Sequence, residues 1–471
     1  MQGLETFAGL LLALAGAAGG GTASATACEG RVLVHSADLQ VPVAQALVSD
    51  GRSVVATGAE GRYRLEARAA GRELFVIAPD GHVAPTGADG LPAFWRGTCG
   101  DFVLHPRPVE VPATQRVLVF ADPQTSSPQE VDYYARGIVA RATGEADVSL
   151  GITLGDVTND VAALYPALNR ATTSIGVPWL HAAGNHDVDP DARGDDDALR
   201  AFRAVYGPDT FAWQSPLATF VVLDNVVSMP GQRPAYVGGL RDDQFGFLEA
   251  YLPHAPRDRL LVVAAHIPWF DTASPGRAET TRSGDRERLF ALLQPFPHVL
   301  LLSAHRHTQR QVFHGQEDGW HGPRPLHEYN VGAASGAYWS GVRDAEAIPV
   351  ATMADGTPRG YAVLDIDGAG GYRLAWRPTG VDLDDPATTG AMALHAPKVL
   401  RQGAYPAWGV FANVWLGHDH TRVEYRIGEG EWTAMPKVLQ ADPRLRIENT
   451  RDDLSDVLRG RDRSPEAELS T

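Results

Sequence analysis

Five apolar runs in the middle of the chain each end in residues of the kind that bind metal ions. The runs are Val117–Ala121, Val148–Leu154, Val177–Ala183, Leu260–Ala265 and Val299–Leu302. Each has the length and the composition of a buried β-strand. Helical patterns, such as those at Gln129–Ala142 and Asp242–Leu252, lie between them. This alternation predicts an α/β domain in which the side chains at the strand ends meet at one edge of the fold.

Each run is followed by candidate metal ligands or by neighbours of such ligands. They are Asp122, Gln124, Asp156, Asn185, His186, Asp187, His266, His305 and His307. Histidine, carboxylate and carboxamide groups together suit manganese, iron or zinc. Ligands from several strands can hold two ions about 3.5–4 Å apart with one shared carboxylate, and such a pair activates water for attack at phosphorus. The pattern therefore predicts a centre for two metal ions.

Any one of these residues alone has an ordinary structural explanation. An aspartate after a strand often forms a turn or caps a helix, and a buried histidine is often satisfied by hydrogen bonds. Two interpretations, lining of the substrate pocket and packing in the core, remain open for two aromatic features. These are Trp269, and Tyr338-Trp339 with Arg343. We interpret His418-Asp419-His420 as a turn and Asp195-Asp196-Asp197 as a solvated helix start rather than as further metal sites.

The order of the motifs resembles that of a known enzyme family. Asp122-Pro123-Gln124, Gly155-Asp156-Val157-Thr158-Asn159, Gly184-Asn185-His186-Asp187, His266 and His305-Arg306-His307 resemble the metal-binding motifs of calcineurin-like metallophosphoesterases. The resemblance implies a fold of β-sheets in a sandwich flanked by helices. Because β-rich segments flank the motifs, the chain further resembles a bacterial subset with N-terminal and C-terminal β-domains.

The same resemblance implies a division of roles. One ion would be held by Asp122, Asp156 and His307, and the other by Asp156, Asn185, His266 and His305, so that Asp156 bridges the two. His186 would stay off the metals and hydrogen-bond the phosphoryl oxygen or protonate the leaving group, with Asp187 orienting it. The nucleophile would be a bridging, metal-activated hydroxide, and no serine or cysteine nucleophile is required.

The chain departs from the family pattern at two positions. Gln124 stands where the family usually has histidine, and an amide oxygen binds metal more weakly than imidazole does. Gln124 is therefore expected either to ligate an ion loosely or to hydrogen-bond a metal-bound water. Ala304 stands where glycine is usual, which matters if the backbone there needs a positive φ.

The overall charge limits the partners. The 41 basic and 57 acidic residues give a net charge of −16, which argues against non-specific binding to nucleic acid or to an anionic membrane. Metal ions can reverse the sign of the local potential, so an acidic chain can still bind phosphate. The expected partner is a phosphorylated small molecule or a cell-envelope phosphoester.

The N-terminus has the pattern of an export signal. Residues 1–27 contain an apolar run that is too short to span a bilayer, followed by Ala25-Thr26-Ala27, which fits a cleavage site. The protein is therefore expected in the periplasm or outside the cell, with no transmembrane segment after signal removal. Cys28 and Cys99 are the two cysteines. They are interpreted as a disulfide pair, with lipidation of Cys28 and two free thiols as the alternatives.

Two β-rich regions flank the predicted catalytic domain. Short strands separated by turns at Asp50-Gly51, Glu60-Gly61 and Asp80-Gly81 predict a β-sandwich at 28–105 with a structural or adhesive role. A proline-rich connector leads to the catalytic domain at 113–378. Residues 379–471 are expected to form a β-rich domain with a hairpin around Gly428–Glu431.

The sequence therefore predicts an exported, metal-dependent phosphoesterase that acts on phosphate monoesters or diesters. One alternative is a surface binding protein that keeps the fold but has weakened catalysis, as the Gln124 substitution suggests. A second alternative is another two-metal hydrolase, such as an aminopeptidase or a lactonase. The Gly184-Asn185-His186-Asp187 motif argues against that class.

Overall fold

The computed structural model describes residues 27–36, 39–66, 72–107, 110–273, 278–396 and 409–454. The predicted export signal lies outside these residues except for Ala27. None of the helices in the described part of the chain is long and apolar enough to cross a membrane.

The N-terminal region consists of short strands in two sheets. The strands are β1 (Cys28–Ser36), β2 (Leu39–Pro42), β3 (Leu47–Ser49), β4 (Val54–Ala56), β5 (Arg62–Leu65), β6 (Leu74–Ile77), β7 (His82–Val83), β8 (Trp95–Arg96) and β9 (Phe102–Pro106). One sheet has the order β2-β1-β9-β7 with β5 paired to β1, and the other has the order β4-β3-β6-β8. A disulfide joins Cys28 to Cys99, as the sequence analysis favours.

The N-terminal sheets share a core with the α/β region. The ring of Phe94 lies 5.0 Å from that of Phe211, and the ring of Phe75 lies 5.7 Å from that of Phe247. An ion pair between Arg72 and Asp243 adds a polar contact across the same boundary. This region is therefore packed against the rest of the chain.

The α/β region contains two larger sheets. Its strands are β10 (Thr114–Phe120), β11 (Val148–Leu154), β12 (Trp179–Ala182), β13 (Phe211–Gln214), β14 (Ala218–Val222), β15 (Val226–Ser228), β16 (Tyr236–Gly238), β17 (Leu260–Ala264), β18 (Val299–Ser303), β19 (Arg310–His314), β20 (Leu326–Asn330), β21 (Gly360–Asp367) and β22 (Tyr372–Pro378). The first sheet has the order β12-β11-β10-β21-β22, the second β13-β14-β17-β18-β20-β19, and β15 pairs with β16.

Helices cover the sheets and connect their strands. They are α1 (Pro128–Tyr134), α2 (Ala140–Ala142), α3 (Tyr165–Thr173), α4 (Arg200–Tyr206), α5 (Asp242–Tyr251), α6 (Ser283–Leu293) and, near the C-terminus, α7 (Pro443–Asp453). The helix predicted at Gln129–Ala142 contains a π-helical stretch, Ala135–Val139, between α1 and α2. The apolar periodicity identifies such a segment but not its local winding.

Side-chain alternation along β10 explains how the layers pack. Val117 and Val119 belong to the core shared with the second sheet, whereas Leu118 and Phe120 belong to a separate cluster with helical residues such as Tyr134. Successive side chains of a strand point to opposite faces, so both faces of this sheet are buried. The arrangement is the predicted sandwich of sheets flanked by helices.

The strand directions bring the predicted ligands together. β10, β11 and β12 run parallel in the first sheet, and β14, β17, β18 and β20 run parallel in the second. Parallel strands place their carboxyl ends at the same edge of a sheet. Two such edges therefore face each other across the sandwich.

The described part of the C-terminal region contains short strands, as expected, and also a helix. Its strands are β23 (Met392–His395), β24 (Phe411–Val414), β25 (Glu424–Tyr425) and β26 (Thr433–Ala434). β25 and β26 form the predicted hairpin. The helix α7 was not expected, although Pro443 begins it and the side chain of Asp442 accepts a hydrogen bond from the amide of Leu445 at 2.9 Å. An aspartate followed by proline is a recognised helix start.

Candidate metal centre

The expected ligands lie directly after five strands. Asp122 and Gln124 follow β10, Asp156 follows β11, and Asn185 begins a short 3-10 helix after β12. From the second sheet, His266 follows β17, while His305 and His307 follow β18. Asp122, Gln124, Asp156, His266 and His307 are buried. The structure thus places all seven candidate ligands at one place between the sheets.

Asp156 lies beside His266, Asn185 and His305. The distance from Asp156 Oδ2 to His266 Nε2 is 3.3 Å, and Asn185 Oδ1 lies 3.1 Å from the same ring nitrogen. His305 Nδ1 lies 3.2 Å from His266 Nε2. The potential ligand atoms of Asp156, His266 and His305 all lie within 4.8 Å of one another. These distances allow one ion to contact all four side chains after small adjustments.

Asp122 and His307 form a second group beside the first. The distance from His307 Nε2 to Asp122 Oδ1 is 3.5 Å. Gln124 connects this group to the first, because its Nε2 lies 3.5 Å from Asp156 Oδ2. Asp156 therefore belongs to the first group and is linked to the second by Gln124, which lies two residues after Asp122 in the chain.

The hydrogen-bonding state of the two buried histidines fits metal ligands. Nδ1 of His266 lies 2.8 Å from the carbonyl oxygen of Leu154, and Nδ1 of His307 lies 2.7 Å from that of Gly336. A carbonyl can only accept, so each Nδ1 carries a proton and Nε2 is the ring nitrogen that would bind a metal ion, once it has lost any proton of its own. Metal-binding histidines usually make such a contact with the nitrogen that is not bound to the metal.

Two oxygen atoms at the centre are buried without a hydrogen-bond partner among the described residues. They are Oδ1 of Asp122 and Oε1 of Gln124. Buried polar atoms are normally satisfied, so acceptors of this kind indicate a missing cation or donor. The donor set of carboxylate, amide and imidazole groups fits manganese, iron or zinc.

Burial and neighbouring charges shift the pKa values of three side chains at the centre. Burial opposes ionisation of Asp156, but His266 holds the pKa of its carboxyl group well below the ordinary value. Burial also disfavours a charged His266, yet Asp156 raises the pKa of that imidazole to about 9. Burial and the neighbouring charge of His266 lower the pKa of His305 to about 3. The cluster therefore attracts one positive charge even without an ion.

The backbone around the centre is strained. Asp122, Gln124, Asp156, His305 and His307 have φ values of 45°, 43°, 49°, 71° and 51°. A left-handed conformation is uncommon for residues other than glycine, and it costs on the order of 1–3 kcal/mol at each position. Strain of this kind concentrates at functional sites because the surrounding structure must hold the side chain in a particular direction.

Gly155 is required by both conformation and space. Its φ is +91°, and a β-carbon there would lie 2.7 Å from Nδ1 of His266 and 2.8 Å from the amide nitrogen of Gly184. Only glycine lets the chain turn at the end of β11 while His266 packs against it.

His186 lies at the edge of the centre and remains partly exposed. Its amide nitrogen donates to Asp156 Oδ1 at 2.8 Å, and its Nδ1 lies 3.0 Å from Oδ1 of Asp160. Among the described residues, the hydrogen bonds of the Asp187 carboxylate do not include the ring of His186, which Asp187 was expected to orient. The carboxylate of Asp187 instead accepts hydrogen bonds from the amide of Gly184 and the hydroxyl of Tyr165, both at 2.9 Å.

Asp187 therefore stabilises the loop that carries Asn185 and His186. The carboxylate that contacts the ring of His186 is that of Asp160, which the sequence did not single out. Asp160 follows Asn159 directly, so its position at the end of the second motif was the available signal. The contact itself depends on the fold of two loops that are 26 residues apart.

The remaining aromatic candidates divide between core and site. Trp269 and Trp339 are buried, and Nε1 of Trp339 donates to the carbonyl oxygen of Pro123 at 2.8 Å. Tyr338 is partly exposed and stacks on His307 with the ring centroids 4.3 Å apart.

In the C-terminal region, the exposed Asp419 pairs with Lys437 at 2.8 Å, in agreement with a turn at His418-Asp419-His420.

The chain matches two models of one protein family. Residues 115–309 match the model for calcineurin-like phosphoesterase, and residues 328–470 match the model for the C terminal of calcineurin-like phosphoesterase. Together the two matches cover more than half of the chain. The second match begins before β21 and β22, which pair with each other and, through β21, with β10. No curated protein matches the chain.

Several solved structures have a distant likeness to the chain. PhoD has 11% sequence identity and a TM-score of 0.39, with 75% of this chain and 83% of that chain covered. A dimetal phosphatase from Danio rerio has 15% identity and a TM-score of 0.36, with 56% of this chain and 96% of that chain covered. GAP50, the anchor in the inner membrane complex of Plasmodium, has 13% identity and a TM-score of 0.35, with 57% and 85% covered.

The two family models, with the motifs at the strand ends, carry the assignment. The chain belongs to the calcineurin-like phosphoesterases, a family of metal-dependent phosphoesterases.

Proposed function

We propose that this protein is an exported phosphoesterase with two metal ions, which hydrolyses phosphate monoesters or diesters. The observation that carries the proposal is the position of Asp156, which contacts one group of candidate ligands directly and is linked to the other by Gln124. Its Oδ2 lies 3.3 Å from His266 Nε2 in one group and 3.5 Å from Nε2 of Gln124, which is two residues from Asp122 of the other group. A carboxylate in this position suits a bridge between two ions.

The assignment of ligands follows from the two groups. Asp122, Asp156 and His307 would hold one ion, and Asp156, Asn185, His266 and His305 would hold the other. Manganese, iron and zinc suit these ligands. When bound, such ions activate water and stabilise the negative charge that develops on the phosphoryl group. Gln124 directs Nε2 towards Asp156, so we propose that it orients this carboxylate or a metal-bound water.

His186 is proposed to act on the substrate rather than on the ions. Asp160 accepts from its Nδ1, which leaves Nε2 directed away from that carboxylate. In its doubly protonated form, the ring can donate the Nε2 proton to the leaving oxygen or hydrogen-bond a phosphoryl oxygen. Its side chain is 31% exposed, which leaves room for a substrate.

Export is supported by the disulfide between Cys28 and Cys99. Structural disulfides persist in oxidising compartments and are rare in the cytosol. Together with the signal-like residues 1–27, this supports a periplasmic or secreted protein.

We also propose a division into three domains: an N-terminal β-sandwich at 28–105, the catalytic domain at 113–378 and a C-terminal β-rich domain at 379–471.

The direct experiment measures phosphate ester hydrolysis after removal and return of metals. Protein stripped with a chelator would be assayed on p-nitrophenyl phosphate and bis-(p-nitrophenyl) phosphate before and after addition of Mn²⁺, Zn²⁺, Fe²⁺ or Mg²⁺, with metal content measured in parallel. We expect activity on at least one ester to return with about two bound ions. Full activity without metal contradicts the proposal. Two tightly bound ions without hydrolysis of any ester would favour the weakened binding protein.

A further inference from the structure

Two tyrosines cover the histidines of the last motif. Tyr236, at the start of β16, meets the ring of His305 edge-on with the centroids 6.0 Å apart. Tyr338 stacks on His307 at 4.3 Å. Both tyrosines are partly exposed, whereas the neighbouring Trp339 is buried. The two rings therefore border the centre on the side that solvent reaches.

The loop that carries Tyr338 is held in a strained conformation. Tyr338 and Trp339 have φ values of 58° and 52°. The indole of Trp339 is anchored to the carbonyl oxygen of Pro123, and the amide of Ala337 donates to the carbonyl oxygen of Ala351 at 2.9 Å. Bulky residues rarely adopt positive φ, and they do so where the surroundings impose a direction on the side chain. Here that direction places Tyr338 on His307.

Arg306 lies between the two covered histidines in sequence and is exposed. Its two neighbours in the chain are the histidines that Tyr236 and Tyr338 contact, so Arg306 lies on the same loop as both ring contacts. Among the described residues, no carboxylate forms an ion pair with Arg306. In a chain with a net charge of −16, an exposed cation beside the centre favours an anionic group of the substrate.

We propose that Tyr236, Tyr338 and Arg306 form a substrate subsite for the part of the phosphoester beyond the reacting phosphorus. The ligand is a phosphoester that carries both a flat ring and a second anionic group, as a nucleoside diphosphate does. Aromatic rings stack on tyrosines, and the planar guanidinium of arginine pairs with phosphate through two parallel hydrogen bonds. This inference rests on the proposed function and specifies the substrate class of the same centre.

Four probes separate the two features of the ligand. They are ADP (ring and second phosphate), AMP (ring alone), inorganic pyrophosphate (second phosphate alone) and glycerol phosphate (neither). Wild-type protein loaded with metal is expected to have its highest kcat/KM with ADP. Arg306→Gln should lower kcat/KM by about tenfold or more with ADP and pyrophosphate, and by less than about threefold with AMP and glycerol phosphate.

The tyrosines should show the complementary pattern. Tyr236→Leu and Tyr338→Leu should lower kcat/KM more with ADP and AMP than with pyrophosphate and glycerol phosphate. The control is Arg310→Gln, because Arg310 is also exposed but lies against Phe270 at 4.6 Å. This control should leave all four values unchanged.

Equal losses on all four probes, or no loss in Arg306→Gln, would overturn the subsite while leaving the proposed function intact. If no ester is hydrolysed with any metal, the proposed function fails instead. In that case, calorimetric titration of the metal-loaded protein with ADP decides the subsite. A Kd that weakens about tenfold or more in Arg306→Gln, but not in Arg310→Gln, supports it. An unchanged Kd refutes it.

Discussion

Oδ1 of Asp160 lies 3.0 Å from Nδ1 of His186. This contact holds the Nδ1 edge of the imidazole and leaves Nε2 directed away from the carboxylate. The two acidic residues near His186 therefore have different partners. Asp160 contacts its ring, whereas Asp187 accepts hydrogen bonds from backbone amides and from Tyr165. A carboxylate on the exposed side of the ring can orient His186 without taking part in metal binding.

We expect His186→Ala to keep its metal content while kcat falls by roughly 10²–10⁴, the usual contribution of a positioned general acid. The loss should be greatest with alkyl phosphates, whose leaving groups require protonation, and smaller with p-nitrophenyl esters. Equal losses with both classes would indicate phosphate binding instead. Loss of an ion would show that His186 is a ligand. Asp160→Asn should give a smaller loss of kcat with the same dependence on the leaving group.

Asp156→Asn is expected to weaken the binding of both ions and to remove nearly all turnover, since one carboxylate oxygen is replaced by an amide at the proposed bridge. Asn185→Ala should chiefly weaken one ion, because Asn185 contacts His266 of the first group. Metal analysis after dialysis, together with circular dichroism as a control for folding, tests both variants. Two fully occupied sites in Asp156→Asn would contradict the bridge.

The buried pair of Glu328 and His314 is expected to make stability depend on pH. Nε2 of His314 lies 2.7 Å from Oε2 of Glu328, while Oε1 accepts from the amide of Trp269 and the hydroxyl of Ser303. Burial acts to lower the pKa of His314, but Glu328 and Asp318 raise it above the ordinary value. Its stabilisation is therefore complete below about pH 6.5 and declines as the pH rises through the raised pKa.

The test compares Tm of the wild type and His314→Gln from pH 6 to pH 9. Loss of one partner of a buried ion pair costs about 3–5 kcal/mol, so the variant should melt well below the wild type at pH 6. The difference should shrink towards pH 9. A constant difference would contradict a charged His314, and the exposed His420→Gln is the control.

Reduction of the Cys28–Cys99 disulfide should destabilise the protein. The two cysteines are 71 residues apart, and closing a loop of that length contributes about 4 kcal/mol in the chain-entropy treatment. Denaturant unfolding with and without a reductant measures the change in the free energy of unfolding. In the double variant that combines Cys28→Ser and Cys99→Ser, the reductant should have no effect. Mass spectrometry that shows a diacylglyceryl group on Cys28 would contradict the disulfide and establish the lipidated alternative.

The candidate ligands could be located from the sequence because each follows an apolar run. Burial of a strand is encoded locally, and residues such as Asp156 and His266 come directly after the runs that become β11 and β17. The order of motifs was sufficient to indicate a family, and the family models confirm it. The hairpin of β25 and β26 was also predictable, because its turn residues are local.

The tertiary structure decided which neighbours these residues have. Asp160 rather than Asp187 contacts His186, and Tyr338 lies on His307. Glu328 joins the loop after β17 to the end of β18. These contacts connect residues that are far apart in the chain, and several depend on positive φ values that no periodicity predicts. The residue types and the strand ends are local properties of the sequence. Their mutual directions depend on how the two sheets pack and on how the connecting loops turn, so only the folded chain determines them.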